Sequence, residues 1–401
     1  MIIRKGVLTC VAVLLAAAAA AQPLSPLAEA RTHVGDADIN VVTFRAMDAF
    51  FPSAPVAAGR AAKLPERRSA LSPEVRFADG AAPFEAALDR TYTNALLVLR
   101  DGAIVDERYR NGSGPDSRFT SWSVAKSITS ILIGIALDKG MIGGVGEPAD
   151  KYAPALKGTA FEGATIEDLL TMRDGTSYTE QVPNGESTLD RIKRRSSYAN
   201  FTGFSDVTGL GLTRIHAPGT HFNYSTLTSS LLARVVEGAS GMTLAAFTEK
   251  YLWKPAGMEA SAYWQLDRSP PEGLALGGSG FNATLRDFGR IGQLMLDGGR
   301  ANGKQIVSKA WVEKSTRHFG GSPVIPGAPR GYGYQWWTML GTDRFEAIGI
   351  HGQFVSVDPA TRTVVVKLSY WPEKGGQQLT IETLALLDAV RGAVSAQEGK
   401  Q

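Results

Sequence analysis

Cysteine is almost absent from this sequence of 401 residues. The chain holds one cysteine, Cys10, so an intramolecular disulfide and a cysteine-based zinc site are both excluded. The chain also holds five histidines, which are scattered: His33, His216, His221, His318 and His351. This spacing does not suggest a metal cage. No metal site is therefore expected, and nothing else in the sequence implies an organic cofactor.

An excess of charge of one sign is also lacking. The chain has 42 basic and 39 acidic residues, a formal net charge of +3, and two of the basic residues are Arg4 and Lys5 at the extreme N-terminus. Without these two, 40 basic residues face 39 acidic ones, which leaves +1. This balance gives no electrostatic footprint for nucleic acid or anionic lipid. We expect a small-molecule substrate of neutral or mixed charge.

The N-terminus has the pattern of a secretory signal peptide over residues 1–21. Arg4-Lys5 supplies the positive start, Val7–Ala18 the apolar stretch and Ala19–Ala21 the small-residue cleavage site. The alternative is a membrane anchor, but a spanning helix needs ~20 apolar residues, more than this run provides. We expect a periplasmic or secreted protein with no stable membrane insertion after cleavage. Cys10 is expected to leave with the signal, which also excludes a cysteine nucleophile.

Length and patterning divide the rest of the chain. A mass of 42.7 kDa suits two packed lobes. Residues 22–84 are rich in Ala and Pro and are interpreted as an N-terminal extension that lies over the body of the protein. Strand patterns predict an α/β lobe from residues 85–148 and 271–395, and helical patterns predict a helical lobe from 149–270. The predicted fold class is α+β: an antiparallel sheet assembled from both ends of the chain and flanked by helices, plus an all-helical lobe, with a site in the cleft between them.

Local patterns predict the individual elements. Asp101-Gly102 lies between two apolar runs and predicts a hairpin over residues 95–109. Thr165 is predicted to cap a short helix because acidic residues follow it. Further helices are predicted over residues 124–138, 227–237, 285–296 and 379–394. Further strands are predicted over residues 332–337, 345–357 and 363–369.

The strongest chemical signal is Ser123-Val124-Ala125-Lys126 at the start of a predicted helix. Positions i and i+3 share one helix face, so the hydroxyl and the amine can meet. A neutral, partly buried lysine can accept the serine proton, and the helix N-terminus favours the oxyanion that forms when serine attacks a carbonyl. The alternative is a capping serine beside a solvated lysine. The apolar run Ile128–Leu137 favours a core helix, which keeps Lys126 close to the core.

Two other segments could complete such a site. Tyr224 lies just before a predicted helix, where its phenol could share protons with the Ser-Lys pair; the alternative is a packing role. Gly349–Gln353 is predicted on a late strand, where small residues let backbone N–H groups approach a substrate oxygen. His351 lies within this run. We expect it at the rim of the site or behind the residues that contact substrate, rather than as a base.

Taken in order, Ser123-x-x-Lys126, a tyrosine about a hundred residues later and a glycine-rich strand near the C-terminus resemble the serine β-lactamase and penicillin-binding-protein superfamily. The resemblance covers roughly residues 85–395. It is closest to 6-aminohexanoate-dimer (nylon-oligomer) hydrolases and family VIII carboxylesterases, which have the class C β-lactamase fold. The segments that carry it are Thr165–Met172, Gly277–Asp287, Tyr334–Trp337, Gly349–Gln353 and Val365–Ser369.

The resemblance implies a two-step acyl-enzyme mechanism. In it, Ser123 is the nucleophile, Lys126 accepts its proton, and Tyr224 passes a proton to the leaving atom and later helps to activate water. The oxyanion is expected to bind the N–H of Ser123 and an N–H near Ile350. The residues expected to contact the substrate are Ile350, His351, Trp337 and Tyr178.

Departures from the family pattern bear on the substrate. Class C β-lactamases carry Tyr-x-Asn, whereas Thr226 replaces the asparagine here. Their Lys-Thr-Gly motif is also absent, and Gly349–His351 lies near its place. The chain therefore lacks the lysine cation that is expected to hold a β-lactam carboxylate. In nylon-oligomer hydrolases a second tyrosine on the loop after Tyr178 assists the leaving amine, and Val182 stands there in this chain. Ester cleavage needs less help at the leaving group than amide cleavage does, so the absence of this tyrosine affects it less.

We therefore expect an exported serine hydrolase, either a carboxylesterase or an amidase similar to 6-aminohexanoate-dimer hydrolase. One alternative is a β-lactamase or a D-alanyl-D-alanine carboxypeptidase-like enzyme. The other is a non-catalytic binding module that kept the fold. The presence of Ser123, Lys126 and Tyr224 together counts against the binding module.

Overall fold

The computed structural model describes residues 25–182, 185–195, 204, 206–320, 330–372 and 376–398. The predicted signal segment, including Cys10, lies outside the described residues. Within them, no helix combines the length and the apolar character needed to cross a bilayer.

The helices are α1 (Pro26–Thr32), α2 (Asn40–Thr43), α3 (Met47–Phe50), α4 (Phe84–Arg90), α5 (Val124–Asp138), α6 (Ile166–Leu170), α7 (Thr188–Arg195), α8 (Thr226–Ser240), α9 (Leu244–Thr248), α10 (Lys254–Ala256), α11 (Leu285–Leu296), α12 (Lys309–Ser315) and α13 (Gln377–Glu398). The strands are β1 (Ser53–Val56), β2 (Val75–Phe77), β3 (Gly80–Ala82), β4 (Thr93–Arg100), β5 (Ala103–Tyr109), β6 (Arg118–Thr120), β7 (Ala262–Gln265), β8 (Phe281–Thr284), β9 (Arg300–Ala301), β10 (Lys304–Gln305), β11 (Arg330–Tyr332), β12 (Trp337–Met339), β13 (Phe345–Gly349), β14 (Gln353–Asp358) and β15 (Thr363–Ser369).

The main sheet has seven strands in the order β11-β12-β13-β14-β15-β4-β5, and every neighbouring pair is antiparallel. The predicted hairpin is confirmed, since Asp101 and Gly102 adopt positive φ angles of 47° and 73° between β4 and β5. β15 pairs with β4 from Thr363 opposite Arg100 onwards, which joins the two ends of the chain. The prediction of one antiparallel sheet built from both termini is confirmed.

Helices cover both faces of this sheet because side chains alternate along its strands. Leu97 and Leu99 of β4 belong to the core shared with α5, α8 and α11, whereas Leu96 and Val98 of the same strand pack with α4 and α13. The fold class is α+β, as expected. α5 carries the Ser-x-x-Lys motif, and its residues 124–136 are all buried, so the predicted core helix is confirmed.

A second sheet, in the order β1-β7-β8-β6, was not predicted from the sequence. Its strand β7 lies within residues 149–270, so the prediction that this region is all helical was wrong there, because β7 is held by pairing with strands from outside the region. The second sheet pairs β1 of the N-terminal segment with β7, and it holds β6, the strand that leads to Ser123, beside β8. Phe44, Met47 and Phe51 are buried in a small cluster with Trp122. The N-terminal segment thus packs directly against the residue that precedes Ser123.

Two of the predicted strands were wrong in extent. The segment predicted as one strand over residues 332–337 is two strands, β11 and β12, joined by a turn in which Gln335 has a φ of 63°. The segment predicted as one strand over residues 345–357 is β13 and β14, joined by a turn in which His351 has a φ of 58°. Gly349–Gln353 therefore forms the tip of a hairpin rather than the middle of a strand.

Candidate active site

Ser123 stands at the N-terminal end of α5, three residues after β6. Its hydroxyl makes no capping hydrogen bond to the helix, so the alternative of a purely capping serine is not what the structure shows. The residue before it, Trp122, has a φ of 45°, an unfavourable left-handed conformation for a large side chain. The rings of Phe44 and His351 lie 5.4 and 5.6 Å from the Trp122 ring and hold it there.

Lys126 lies one helical turn further on and is 1% exposed. Its Nζ donates to the Oγ of Ser123 at 2.8 Å, to the Oγ1 of Thr226 at 3.0 Å and to the carbonyl oxygen of Gly278 at 2.8 Å. Burial lowers the pKa of Lys126 to about 8, since desolvation disfavours the ammonium form. A neutral amine is therefore accessible near physiological pH.

Gly278 allows this arrangement because a larger residue would not fit. A Cβ at this position would lie 2.4 Å from the carbonyl oxygen of Thr226, far inside van der Waals contact. The glycine lets the 277–280 loop press against the start of α8 and aim its carbonyl at the buried amine. The function of this loop is to hold Lys126.

Tyr224 lies directly over the Ser-Lys pair. The Nζ of Lys126 is 4.9 Å from the centre of the Tyr224 ring, and the phenol lies close enough to Ser123 for the two hydroxyl groups to interact. The ring stacks on Trp337 at 5.7 Å. Burial raises the pKa of Tyr224, so the phenol keeps its proton at neutral pH and can donate it. The structure thus brings together Ser123, Lys126 and Tyr224, the three predicted catalytic residues.

Glu180 is a member of this cluster that the sequence did not indicate. Its carboxylate accepts hydrogen bonds from the backbone N–H of Thr226 at 3.1 Å, the Thr226 hydroxyl at 2.6 Å and the Tyr178 phenol at 2.6 Å. Lys193 of α7 lies close enough to both Glu180 and Lys126 to interact with them electrostatically. A glutamate on a loop has no motif of its own, so only its neighbours in space reveal it.

The tip of the β13–β14 hairpin lies against the nucleophile. A Cβ at Gly349 would lie 2.4 Å from the carbonyl oxygen of Ser121 and 3.1 Å from the amide nitrogen of Ser123. Glycine is therefore needed for β13 to approach the nucleophile turn this closely. Ile350, whose N–H is the second expected oxyanion donor, follows immediately in the chain.

These groups open into a cavity of about 950 Å³. Ser123, Tyr224, Trp337 and Ile350 line it, so two of the four residues expected to contact substrate lie in its wall. The wall includes other residues that the sequence did not suggest: Met47, Phe51, Trp122, Glu180, Asp190 and Lys193. Val182 also lines the cavity, at the place where the related hydrolases are expected to carry a tyrosine.

Tyr178 and His351, the other two residues expected to contact substrate, lie behind the wall. Tyr178 is 2% exposed, donates its phenol proton to Glu180 and accepts a hydrogen bond from Asn223 through its carbonyl. His351 is also 2% exposed, and its Nδ1 is 2.8 Å from the carbonyl oxygen of Trp371. Any effect of these two residues on substrate must therefore act through the residues in front of them.

The fold and this site define a protein class. Residues 84–388 match the family model described as Beta-lactamase, which spans well over half of the chain. The chain therefore belongs to the beta-lactamase family, and the resemblance to the serine β-lactamase and penicillin-binding-protein superfamily is confirmed.

Particular relatives narrow this class. The 6-aminohexanoate-dimer hydrolase of Paenarthrobacter ureafaciens is 32% identical over 300 residues, which cover 72% of this chain and 75% of the relative. A solved structure assigned as a 6-aminohexanoate-dimer hydrolase of Bacillus anthracis has a TM-score of 0.80 at 26% identity, covering 90% of this chain and 95% of the other. A family VIII carboxylesterase shares the fold, with a TM-score of 0.58 at 15% identity over 77% of this chain and 95% of its own. The protein is thus a β-lactamase-fold hydrolase related to 6-aminohexanoate-dimer hydrolase.

Proposed function

We propose that this protein is an exported serine hydrolase that cleaves ester or amide bonds of small substrates through an acyl-enzyme on Ser123. The observation that carries the proposal is the 2.8 Å contact between the Ser123 hydroxyl and a buried lysine amine whose pKa is lowered to about 8. Such an amine can be neutral near physiological pH and can act as a general base toward serine. Export is inferred from the signal pattern over residues 1–21.

The acylation step follows from the hydrogen bonds of Lys126. In its neutral form, Lys126 has two N–H bonds, which can point to Thr226 Oγ1 and Gly278 O, and a lone pair that then faces Ser123. The lone pair takes the hydroxyl proton while Oγ bonds to the substrate carbonyl carbon. The carbonyl oxygen becomes an oxyanion, for which we infer two donors, the N–H groups of Ser123 and Ile350. The positive end of α5 adds to its stabilisation.

The leaving group then needs a proton, and Tyr224 is placed to supply one. Collapse of the tetrahedral intermediate breaks the bond from carbon to the leaving oxygen or nitrogen. That atom takes the Tyr224 proton, and the proton that Lys126 took from Ser123 restores the neutral phenol. In deacylation a water molecule gives its proton to the Lys126–Tyr224 pair and attacks the acyl carbon. Ser123 leaves with a proton, and the acid product is released.

Ester cleavage is the favoured reaction, because Val182 cannot donate a proton to the leaving group. An amine is a poor leaving group unless it is protonated as it departs, whereas an alkoxide needs less assistance. The 32% identical relative is named for cleavage of an amide dimer, so amides stay within the proposed substrate class.

A panel of three substrates tests the proposal: short-chain nitrophenyl esters, the 6-aminohexanoate dimer and nitrocefin. We expect turnover of the esters, slower turnover of the dimer and little hydrolysis of nitrocefin. A fluorophosphonate should add to Ser123, and intact-mass and peptide mass spectrometry should locate it. Ser123→Ala is the matched control and should lose both turnover and labelling. Absence of turnover together with absence of an adduct in the natural sequence would refute the hydrolase assignment, and rapid nitrocefin cleavage would favour the β-lactamase alternative.

Export has its own test. The full chain expressed in a bacterial host should appear outside the cytoplasm with Gln22 as its first residue. N-terminal sequencing of the protein from the periplasmic fraction or the medium would check this. An uncleaved chain retained in the cytoplasm would contradict it.

A further inference from the structure

Glu180 is connected to the nucleophile through a continuous chain of hydrogen bonds. The Thr226 hydroxyl donates to Glu180 Oε1 at 2.6 Å, and the Oγ1 of that hydroxyl accepts from Lys126 Nζ at 3.0 Å. Lys126 in turn contacts Ser123 at 2.8 Å. The backbone N–H of Thr226 and the phenol of Tyr178 hold the other carboxylate oxygen, so the position of Glu180 is fixed from two sides.

The hydrogen-bond capacity of Thr226 makes this chain directional. A hydroxyl group has one hydrogen and two lone pairs. Because the Thr226 hydrogen points to Glu180, the oxygen can only accept from Lys126. The carbonyl of Gly278, the other neighbour of the amine, is also an acceptor only. Two of the three directions around the amine therefore require an N–H, and the lone pair of neutral Lys126 has to face Ser123.

Without the carboxylate, this direction is lost. The Thr226 hydroxyl would be free to rotate and to donate its hydrogen to the lone pair of the lysine. That bond would compete directly with the proton transfer from Ser123 on which acylation depends. The negative charge of Glu180 has a second effect. Burial lowers the pKa of Lys126, and the charge opposes this larger effect by raising the same pKa.

We propose that Glu180 is a positioning residue of the Ser123–Lys126 pair: through the Thr226 hydroxyl it orients the lone pair of the lysine toward the serine. The inference rests on the proposed function. It assigns no contact between Glu180 and the reacting atoms.

Several other titratable groups face this cluster. Lys193 of α7 lowers the pKa of Lys126, and Asp190 of the same helix acts electrostatically on Lys193. Tyr178, Tyr224 and Tyr332 surround the carboxylate, and burial raises the pKa of each. These tyrosines keep their protons at neutral pH, so Glu180 is the nearby anion that acts on the lysine, and Lys193 is the cation that opposes it.

Two pairs of variants test the proposal, with ester hydrolysis followed from pH 5 to 10. Glu180→Gln removes the charge, and Glu313→Gln on the exposed side of α12 is the control for loss of a carboxylate outside the cavity. Thr226→Val removes the hydroxyl and keeps the shape, while Thr226→Ser restores a hydroxyl.

In Glu180→Gln we expect the acid limb of kcat/KM to move to lower pH by about one unit, because the negative charge that raises the pKa of Lys126 is removed. The plateau kcat should fall by about 10²-fold, which is the rate factor typically lost when a general base is misdirected. KM should change much less. Thr226→Val should lower kcat to a similar extent with a smaller shift of the limb. Thr226→Ser should recover most of the loss.

The rate of fluorophosphonate labelling of Ser123 gives a second readout, because it follows the reactivity of the serine without a leaving alcohol or amine. It should fall in Glu180→Gln and Thr226→Val. An unchanged plateau and limb in both variants, or a change in KM alone, overturns the positioning role. If Glu180→Gln does not fold, the Thr226→Val and Thr226→Ser pair decides the matter. A wild-type protein without turnover or labelling refutes the proposed function instead, so the two failures are distinguishable.

Discussion

The ring of Phe44 packs edge-on against the ring of Trp122, with their centres 5.4 Å apart. Phe44 belongs to the N-terminal segment, whereas Trp122 immediately precedes the nucleophile and has a positive φ. The backbone N–H of Thr120 also donates to the carbonyl of Phe44 at 2.8 Å. The segment before the core domain is thus part of the support for the nucleophile turn.

Phe44→Ala should therefore affect both stability and turnover. Removing a buried phenylalanine costs about 3–5 kcal/mol of unfolding free energy, and the freed Trp122 loses the contact that holds its left-handed conformation. We expect a lower melting temperature and a lower kcat. Val42→Ala, at a neighbouring position that is 58% exposed, is the control and should change unfolding free energy by less than about 0.5 kcal/mol. Equal effects of the two variants would contradict a supporting role for Phe44.

Gly349→Ala should misplace the hairpin tip beside Ser123. The new Cβ would lie 2.4 Å from Ser121 O, so either β13 or the nucleophile turn has to move. A displacement of about 1 Å in a catalytic group can cost about 10²-fold in rate, and we expect a loss of that order in kcat/KM for esters. Gly114→Ala is the matched control, because nothing lies within 4 Å of a Cβ there. Full activity in Gly349→Ala would show that the close approach is not needed.

The pH–rate profile should have an acid limb near pH 8. Lys126 acts as a base only when neutral, and its pKa is about 8, so kcat/KM should rise as pH increases through that value and then level off. Lys126→Met should lower kcat by about 10²–10⁴-fold and abolish this limb. Steady-state kinetics between pH 5 and 10 would check both statements. A profile that is flat across this range would exclude Lys126 as the titrating base.

Lys367 should make stability increase with pH. This lysine on β15 is fully buried, donates to the carbonyl of Thr91 at 2.8 Å, and has a pKa that burial lowers well below its usual value. Between the folded and unfolded pKa values, the unfolded chain binds more protons, so unfolding free energy rises with pH up to about 10.5. Below the folded pKa the full cost of burying the ammonium is present.

The comparison of wild type with Lys367→Met checks this. The melting temperature of the wild type should increase relative to that of the variant from pH 7 to 10, because methionine has no charge to lose. A difference between the two melting temperatures that stays constant at all pH values would mean that Lys367 has the same pKa in the folded and unfolded chains.

Local patterns predicted local structure well. The predicted helices over residues 124–138 and 285–296 have those bounds in the structure, and Thr165 caps α6 as expected. Each depends on a cap and on an apolar period within a few residues, so the information lies in the segment itself.

The two strands of wrong extent failed for one physical reason. Each is interrupted by a non-glycine residue with positive φ, Gln335 or His351, and such residues give no turn signal in a sequence. Contacts from distant parts of the fold stabilise the unfavourable backbone. The Gln335 amide donates to the carbonyls of Leu169 and Leu170 and accepts from Ser229. The Nδ1 of His351 lies 2.8 Å from the carbonyl oxygen of Trp371.

The sequence by itself determined that Ser123 and Lys126 meet, since the pairing needs only one turn of helix. The tertiary structure decided what this pair can do. Thr226 and Gly278, which orient the amine, come from 100 and 152 positions further along the chain, and Glu180 reaches it through Thr226. Basicity depends on burial and neighbouring charge, and both arise only when distant segments pack together.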